Sequence, residues 1–221
     1  MWKRISSKIA LAAWLNVEIS ELEQALEESK HNYISHPKTD RKGKVRQLCY
    51  PPKDSVLRKV QVSVRHRILN RIAIVPEVCG YRPGLHNINV AESLAGSKYT
   101  SKVDISKFHP SIDRLQVAKC LAKRGIPWPV ARCIARLVTY KGSVPQGAST
   151  SNHVANLIVD EMMRRKILPY AMDRNVRVKN FGDDIAFYGD NEASVSACSR
   201  QCARVIESND FEVNAGKCTS P

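Results

Sequence analysis

Three acidic positions carry the chemistry that this sequence could do. Asp104 lies near the end of the strand-like run Tyr99 to Ile105. Asp183 and Asp184 belong to Asn180-Phe181-Gly182-Asp183-Asp184, where Gly182-Asp183 reads as the turn of a hairpin. Between them, Gly142-Ser143-Val144-Pro145-Gln146-Gly147 is a loop that leads into a helix. An Asp-Asp pair alone means little, because Asp is at home in tight turns. The combination says more. Phosphoryl transfer to a 3′-hydroxyl uses two divalent cations about 4 Å apart, one lowering the hydroxyl pKa and one neutralising the leaving pyrophosphate. Two such ions need carboxylates from separate strands brought side by side. Without metal, like charges ~4 Å apart repel by about 4 kcal/mol at an effective dielectric of 20. Oxygen-only ligands point to Mg2+, or to Mn2+ as a substitute, and away from zinc.

The elements that must position these residues form an α+β mixture. Residues 5–29 have helical periodicity, with Ser20 and Glu23 as a capping box for a second segment. His36 to Lys44 reads as a turn between two short strands, and Val45 to Tyr50 as a strand ended by Pro51-Pro52. Asp54 to Ile74 reads as a long basic helix whose buried face is Val56, Val60, Val64, Ile68 and Ile72. Asn87 to Leu94, Gln116 to Lys123 and Val130 to Val138 also read as helices. Thr150 or Ser151 caps another that runs to about Ile167. Val176 to Tyr188 is the hairpin, Ala193 to Ser208 a helix, and Phe211 to Val213 a short final strand.

Charge is distributed unevenly along the 221 residues, whose net formal charge is +14. Residues 38–71 hold eleven Lys and Arg against two acids, whereas residues 181–221 hold seven acids against three basic residues. That gradient suits a front half facing a polyanion and a back half holding divalent metal. Lys53, Arg58, Lys59, Arg65 and Arg67 of the basic helix region are the candidate nucleic-acid contacts. Acidic lipid is the competing polyanion, but 38–71 has turns and prolines where an amphipathic anchor would need large apolar residues. The longest apolar run, Ile9 to Leu15, is far too short to span a bilayer. Seven scattered cysteines with no Cys-x-x-Cys pair read as reduced thiols, in keeping with a cytoplasmic setting.

Several stretches resemble the fingers and palm of prokaryotic reverse transcriptases, of the retron, group II intron and diversity-generating type. Asp104 with Phe108-His109-Pro110-Ser111-Ile112 resembles the family's Asp and Phe-Phe-Pro-Ser-Ile motif. Val144-Pro145-Gln146-Gly147-Ala148-Ser149-Thr150-Ser151 resembles Leu-Pro-Gln-Gly-x-x-Thr-Ser, with Asn156 and Asp160 on the helix that follows. Phe181-Gly182-Asp183-Asp184 is similar to the Tyr-x-Asp-Asp box, and Asn214 with Lys217 to Leu-Asn-x-x-Lys. Arg46, Gln61 and Gly80-Tyr81-Arg82-Pro83-Gly84 match the fingers pattern, and the likeness covers about residues 33–218.

The resemblance implies a right-hand polymerase with an antiparallel palm sheet, fingers over residues 1–98 and palm over 99–221, a helical fingers–palm segment at about 114–140, and no thumb. It implies that Asp104, Asp183 and Asp184 are catalytic and hold Mg2+. It further implies that Lys44 and Arg46 meet the incoming triphosphate, that Phe108, His109, Gln146 and Gly147 line the nucleotide, and that Lys217 approaches the pyrophosphate. The implied activity is RNA-directed DNA synthesis from dNTPs on an RNA template and primer, in a retron-like or phage-defence element. Its partners would be a cognate structured RNA and a second chain supplying the thumb, in a prokaryotic cytoplasm without membrane attachment. Three departures stand out. His109 replaces an aromatic sugar gate, Gly182 leaves the box without a side chain, and Asn89-Val90-Ala91-Glu92-Ser93 only partly matches the retron Asn-Ala-x-x-His signature. Gly-Asp-Asp and His109 keep an RNA-dependent RNA polymerase open as an alternative. A weakly active RNA-binding subunit is the alternative from another class.

Overall fold

Helical periodicity in the first half and strand alternation around the acids resolve into an α+β structure with antiparallel sheets. The computed structural model describes residues 2–39, 43, 45–82, 84–85, 91–92 and 95–221. These form two compact units, residues 1–73 with 109–154 and residues 74–108 with 155–221. The expected division at 98/99 is thus not where the chain partitions. Residues 109–154 fold with the N-terminal unit, and 74–98 with the unit that holds the acids.

In the first unit the expected helix over 5–29 is two helices, α1 (Lys8–Leu15) and α2 (Ile19–Glu28). Asn16 breaks the run with φ +58°, a left-handed conformation that a short polar side chain tolerates. The cap of α2 is not Ser20 with Glu23: Glu21 Oε2 accepts the Glu18 N–H at 2.9 Å, two residues earlier. Strands β1 (Ile34–Thr39) and β2 (Val45–Tyr50) pair from Ile34↔Tyr50 to Thr39↔Val45, so His36 to Thr39 belong to a strand and not to the turn. Helix α3 (Val56–Arg67) starts at Ser55, whose Oγ accepts the Arg58 N–H at 3.2 Å. It buries Leu57, Val60, Gln61 and Val64 and ends seven residues before the expected Ile74. Val56 is only half-buried, one position off the buried face. The helices α4 (Phe108–Ser111), α5 (Arg114–Lys123) and α6 (Trp128–Val138) follow, with α5 capped by Asp113. The expected helix at 87–94 lies almost wholly outside the described residues.

Helix α7 (Ser151–Met162) passes from the first unit into the second at Ala155. Neither expected cap acts through its side chain: Ser151 Oγ donates to Pro145 O at 2.6 Å, and Thr150 Oγ1 has no hydrogen-bond partner. A π-helical turn, Met163–Ile167, joins α7 to α8 (Leu168–Met172).

The sheet of the second unit has the order β3 (Tyr99–Asp104), β5 (Asp184–Gly189), β4 (Arg177–Phe181), all antiparallel. Side chains alternate across it. Ser101, Val103, Ile105, Ile185 and Phe187 are buried, and helix α9 (Glu192–Glu207) packs on β3 and β5 through Val195, Cys198, Cys202, Val205 and Ile206. Lys102, Asp104 and Asp184 fall on the alternate set of positions. Phe211 to Val213 forms a single bridge, Ile105↔Val213, and not a full strand. All seven cysteines are free thiols.

Helix α7 ties down the approach to this sheet. Asp160 is fully buried; its Oδ1 accepts the Val75 N–H and its Oδ2 the Arg164 Nε–H at 2.8 Å. Replacing Asp160 with Ala would strand a backbone donor and part of a guanidinium, so Asp160→Ala is expected to cost about 2 kcal/mol. Urea unfolding followed by circular dichroism checks this, and an unchanged midpoint would contradict it.

Candidate active site

Strand register places two of the three acids opposite one another. Asp104 is the last residue of β3, Asp184 the first of β5, and the two are direct partners in the antiparallel ladder. Residues so paired share a face and have Cβ atoms about 5 Å apart. Asp183 sits between β4 and β5, and its carbonyl accepts the Ile105 N–H at 2.9 Å, which locks the turn to the end of β3. Gly182 precedes it with φ +67°, the first loop position where a two-residue II′ hairpin takes glycine. Asn180 is fully buried, and its Nδ2 donates to Gly182 O and Asp184 O, each at 2.9 Å. The turn that carries the acids is therefore held by its own strand.

Ammonium groups balance the acids. Asp104 is only 2% exposed, and its Oδ2 accepts from Lys217 Nζ at 2.9 Å. Lys217 reaches it because 212–219 runs beside β3, with Asn214 N donating to Asp104 O at 2.8 Å and Thr219 N to Lys102 O at 3.0 Å. The carboxylate of Asp104 raises the Lys217 pKa by hydrogen bonding more than burial lowers it. Lys102 lies diagonally across the ladder from Asp184, with Nζ 3.2 Å from Oδ1. That contact is an ion pair without hydrogen-bond alignment, since Asp184 Oδ1 is buried and accepts no hydrogen bond. Burial pushes the Asp184 carboxyl above its ordinary range, and Lys102 pulls it back down.

The donor set fits a hard divalent cation in kind. It is all oxygen, and the buried Asp184 Oδ1 lacks the hydrogen bond that its burial calls for. As they stand, with lysines on two of the carboxylates, no three His, Cys, Asp or Glu side chains group into a ready metal site among the described residues. Mg2+ or Mn2+ would take the places of the ammonium groups on Asp104 and Asp184.

The other expected site residues divide between the units. Phe108 is a core residue: it is 3% exposed and stacks edge-on against Phe211 at 5.7 Å. In the first unit, Gln146 O accepts the Cys49 N–H at 2.7 Å and Gly147 bridges Cys49, so the Pro-Gln-Gly loop docks on β2, the strand of exposed Arg46. Gly147 has φ +117°, a conformation that only glycine adopts easily. His109 is 9% exposed, a packed ring with Nε2 3.1 Å from Asn152 Oδ1. Lys44 lies outside the described residues.

The five basic candidates are not equivalent. Lys59 pairs with Glu21, and Arg67 exchanges hydrogen bonds with Trp14 through Nη1→Trp14 O at 3.3 Å and Trp14 Nε1→Arg67 O at 3.2 Å. Lys59 thus sits in a surface ion pair, and Arg67, half-buried, joins α3 to the end of α1. Arg65 Nη2 lies 2.9 Å from His66 Nε2, while Lys53 is exposed and Arg58 half-buried.

Comparison with known proteins follows the same lines. A family model described as reverse transcriptase (RNA-dependent DNA polymerase) matches residues 36–220. The chain belongs to the reverse transcriptase family. Among curated relatives, this reverse transcriptase chain is 26% identical to the retron Mx65 reverse transcriptase of Myxococcus xanthus, over 86% of the chain and 48% of that protein. It is 24% identical to the retron Ec86 reverse transcriptase of Escherichia coli, over 79% of the chain and 53% of that protein. It thus spans about half the length of these relatives. A solved telomerase from Candida albicans, in complex with a fragment of telomeric RNA, shares the fold with a TM-score of 0.60 at 11% identity, covering 85% of this chain and 42% of that one.

Lys102 and Tyr81 were not among the candidates from sequence. Lys102 had a usable signal, two positions before Asp104 on the same strand face. Tyr81 stood within a stretch matching the fingers pattern, but its place beside Gly182 was not legible because the two are a hundred residues apart.

The pairing of Lys217 with a buried carboxylate has a direct consequence. In EDTA, Lys217→Ala removes the ammonium from which Asp104 Oδ2 accepts, and a loss of about 1–2 kcal/mol is expected once the exposure of the lysine is discounted. Added Mg2+ should restore more stability to the variant than to the wild type, by thermal denaturation. Equal melting of both proteins in EDTA would contradict the role given to the ion pair.

Proposed function

We propose that this chain is the catalytic part of an RNA-directed DNA polymerase, one that adds deoxynucleotides to a primer 3′-hydroxyl on an RNA template. The observation that carries this reading is the placement of Asp104 and Asp184 as ladder partners, with Asp183 locked beside them. Family membership and two retron relatives support it. Divalent Mg2+, with Mn2+ as substitute, would lower the hydroxyl pKa and neutralise the leaving pyrophosphate. Asp104 and Asp183 would hold these cations, with Asp184 in support, and Lys217 would offer its ammonium to the pyrophosphate. Arg46 and Lys44 neutralise the triphosphate, and Gln146 with Gly147 supports the base. The substrates are dNTPs, and the partner is a structured RNA of retron type in a bacterial cytoplasm. Among the described residues no helix is long and apolar enough to cross a membrane.

Primer extension on an RNA template with Mg2+ tests the reading. Asp104→Asn and Asp183→Asn are each expected to lower incorporation at least about a hundredfold, because metal stabilisation of the transition state is worth several kcal/mol. Both variants should keep the wild-type circular dichroism spectrum and RNA affinity. Near-normal synthesis by either sinks the assignment, and a wild type that prefers ribonucleotides would point to RNA synthesis.

A further inference from the structure

The hairpin turn that carries Asp183 is covered by a side chain from the same unit but distant in sequence. A Cβ added to Gly182 would lie 2.9 Å from Tyr81 Oη and 3.3 Å from its Cζ. The phenol of Tyr81 therefore fills the volume that any side chain at 182 would need. One residue earlier, Gly80 approaches so closely that a Cβ there would collide with the backbone N of Gly182.

This approach is fixed by hydrogen bonds. Asn180 N donates to Glu77 O at 2.8 Å, Cys79 N to Asn180 O at 2.9 Å, and Asn156 Nδ2 to Gly80 O at 2.6 Å. Tyr81 then leaves the turn with φ +58°, a left-handed conformation uncommon for a bulky residue and informative where it occurs. Its ring tilts against Phe181, 6.3 Å between centroids, and stays 38% exposed.

Backbone carbonyls hold the inner side of the turn, but glycine at the first loop position leaves its outer side with no side chain of its own to pack. A slack outer side would let the Asp183 carboxylate shift relative to Asp104. We propose that Tyr81 is a positioning residue for the acidic turn: its ring substitutes for the side chain absent at Gly182 and keeps Asp183 aimed at the cation site beside Asp104. The catalytic meaning of this contact rests on the polymerase reading, but the contact itself is testable without it.

Mn2+ binding to the full chain, measured by calorimetry, reads the aim of the acids directly, and the Mg2+ concentration for half-maximal primer extension reads it in turnover. Tyr81→Ala is expected to weaken Mn2+ binding about tenfold and to raise the Mg2+ requirement in parallel, the effect usual for a group that orients metal ligands. Tyr81→Phe keeps the ring and should stay within about twofold of the wild type. RNA affinity and the circular dichroism spectrum should not move. Gly182→Ala tests the same space from the other side, since its methyl meets the Tyr81 hydroxyl, and it too should weaken Mn2+ binding. Wild-type Mn2+ affinity in Tyr81→Ala or in Gly182→Ala overturns the inference, as does a Tyr81→Phe defect equal to that of Tyr81→Ala. A wild type that extends no primer, yet loses Mn2+ affinity on Tyr81→Ala, would defeat the polymerase reading and leave the positioning contact standing.

Discussion

Two carboxylates held opposite each other in one β-ladder dominate the electrostatics of the second unit. Asp104 and Asp184 cannot move apart, because the hydrogen bonds of β3 and β5 define their spacing. Like charges at such a distance oppose folding by a few kcal/mol, and Asp104 is also shut away from water. The structure meets this cost with cations placed by the same backbone. Lys102 comes from β3 itself, and Lys217 from a segment bonded along β3. The repulsion and its relief are thus built from one strand and its two neighbours.

The polar residues buried around the turn serve the same constraint. Asn180 ties the hairpin to itself, Asn156 holds Gly80, and Asp160 holds Val75. Each amide or carboxylate satisfies backbone groups that would otherwise be stranded in the interior. Chain segments 75–80 and 180–184 are thereby fastened together, close enough that only glycine fits at position 80, while Gly182 has a positive φ and faces the Tyr81 hydroxyl. A bare Gly-Asp-Asp box is therefore part of the packing. Tyr81 takes up the room that the box leaves.

Local pattern made much of this legible. Alternation located β3, β4 and β5, and Gly182-Asp183 marked the turn, because strand period and turn chemistry act over a few residues. That carboxylates from two strands come side by side was readable from the chemistry; that Asp184 is the ladder partner of Asp104 was not. Contacts across long stretches of chain were not. The packing of Phe108 on Phe211 and the exchange of hydrogen bonds between Arg67 and Trp14 join residues far apart in the chain. Lys59 is neutralised by an acid 38 positions away, which no window of sequence reveals. Asn16 ended a helix whose apolar periodicity continued, because one left-handed residue outweighs the pattern on either side. The two compact units cut across the 98/99 division for a related reason. Residues 109–154 read as a continuation of the acid-bearing half, yet their apolar surface and the Pro-Gln-Gly loop pack with the N-terminal elements.

The central claim is that Asp104 and the Asp183-Asp184 turn hold one divalent-cation centre. Iron(II) substituted for Mg2+ cuts nearby backbone through the hydroxyl radicals it generates, so the cut positions map the bound cation. Paired cleavage is expected near residue 104 and across 182–185, both suppressed together by excess Mg2+. Cleavage confined to one of these segments, or persisting unchanged in Mg2+, would contradict the account.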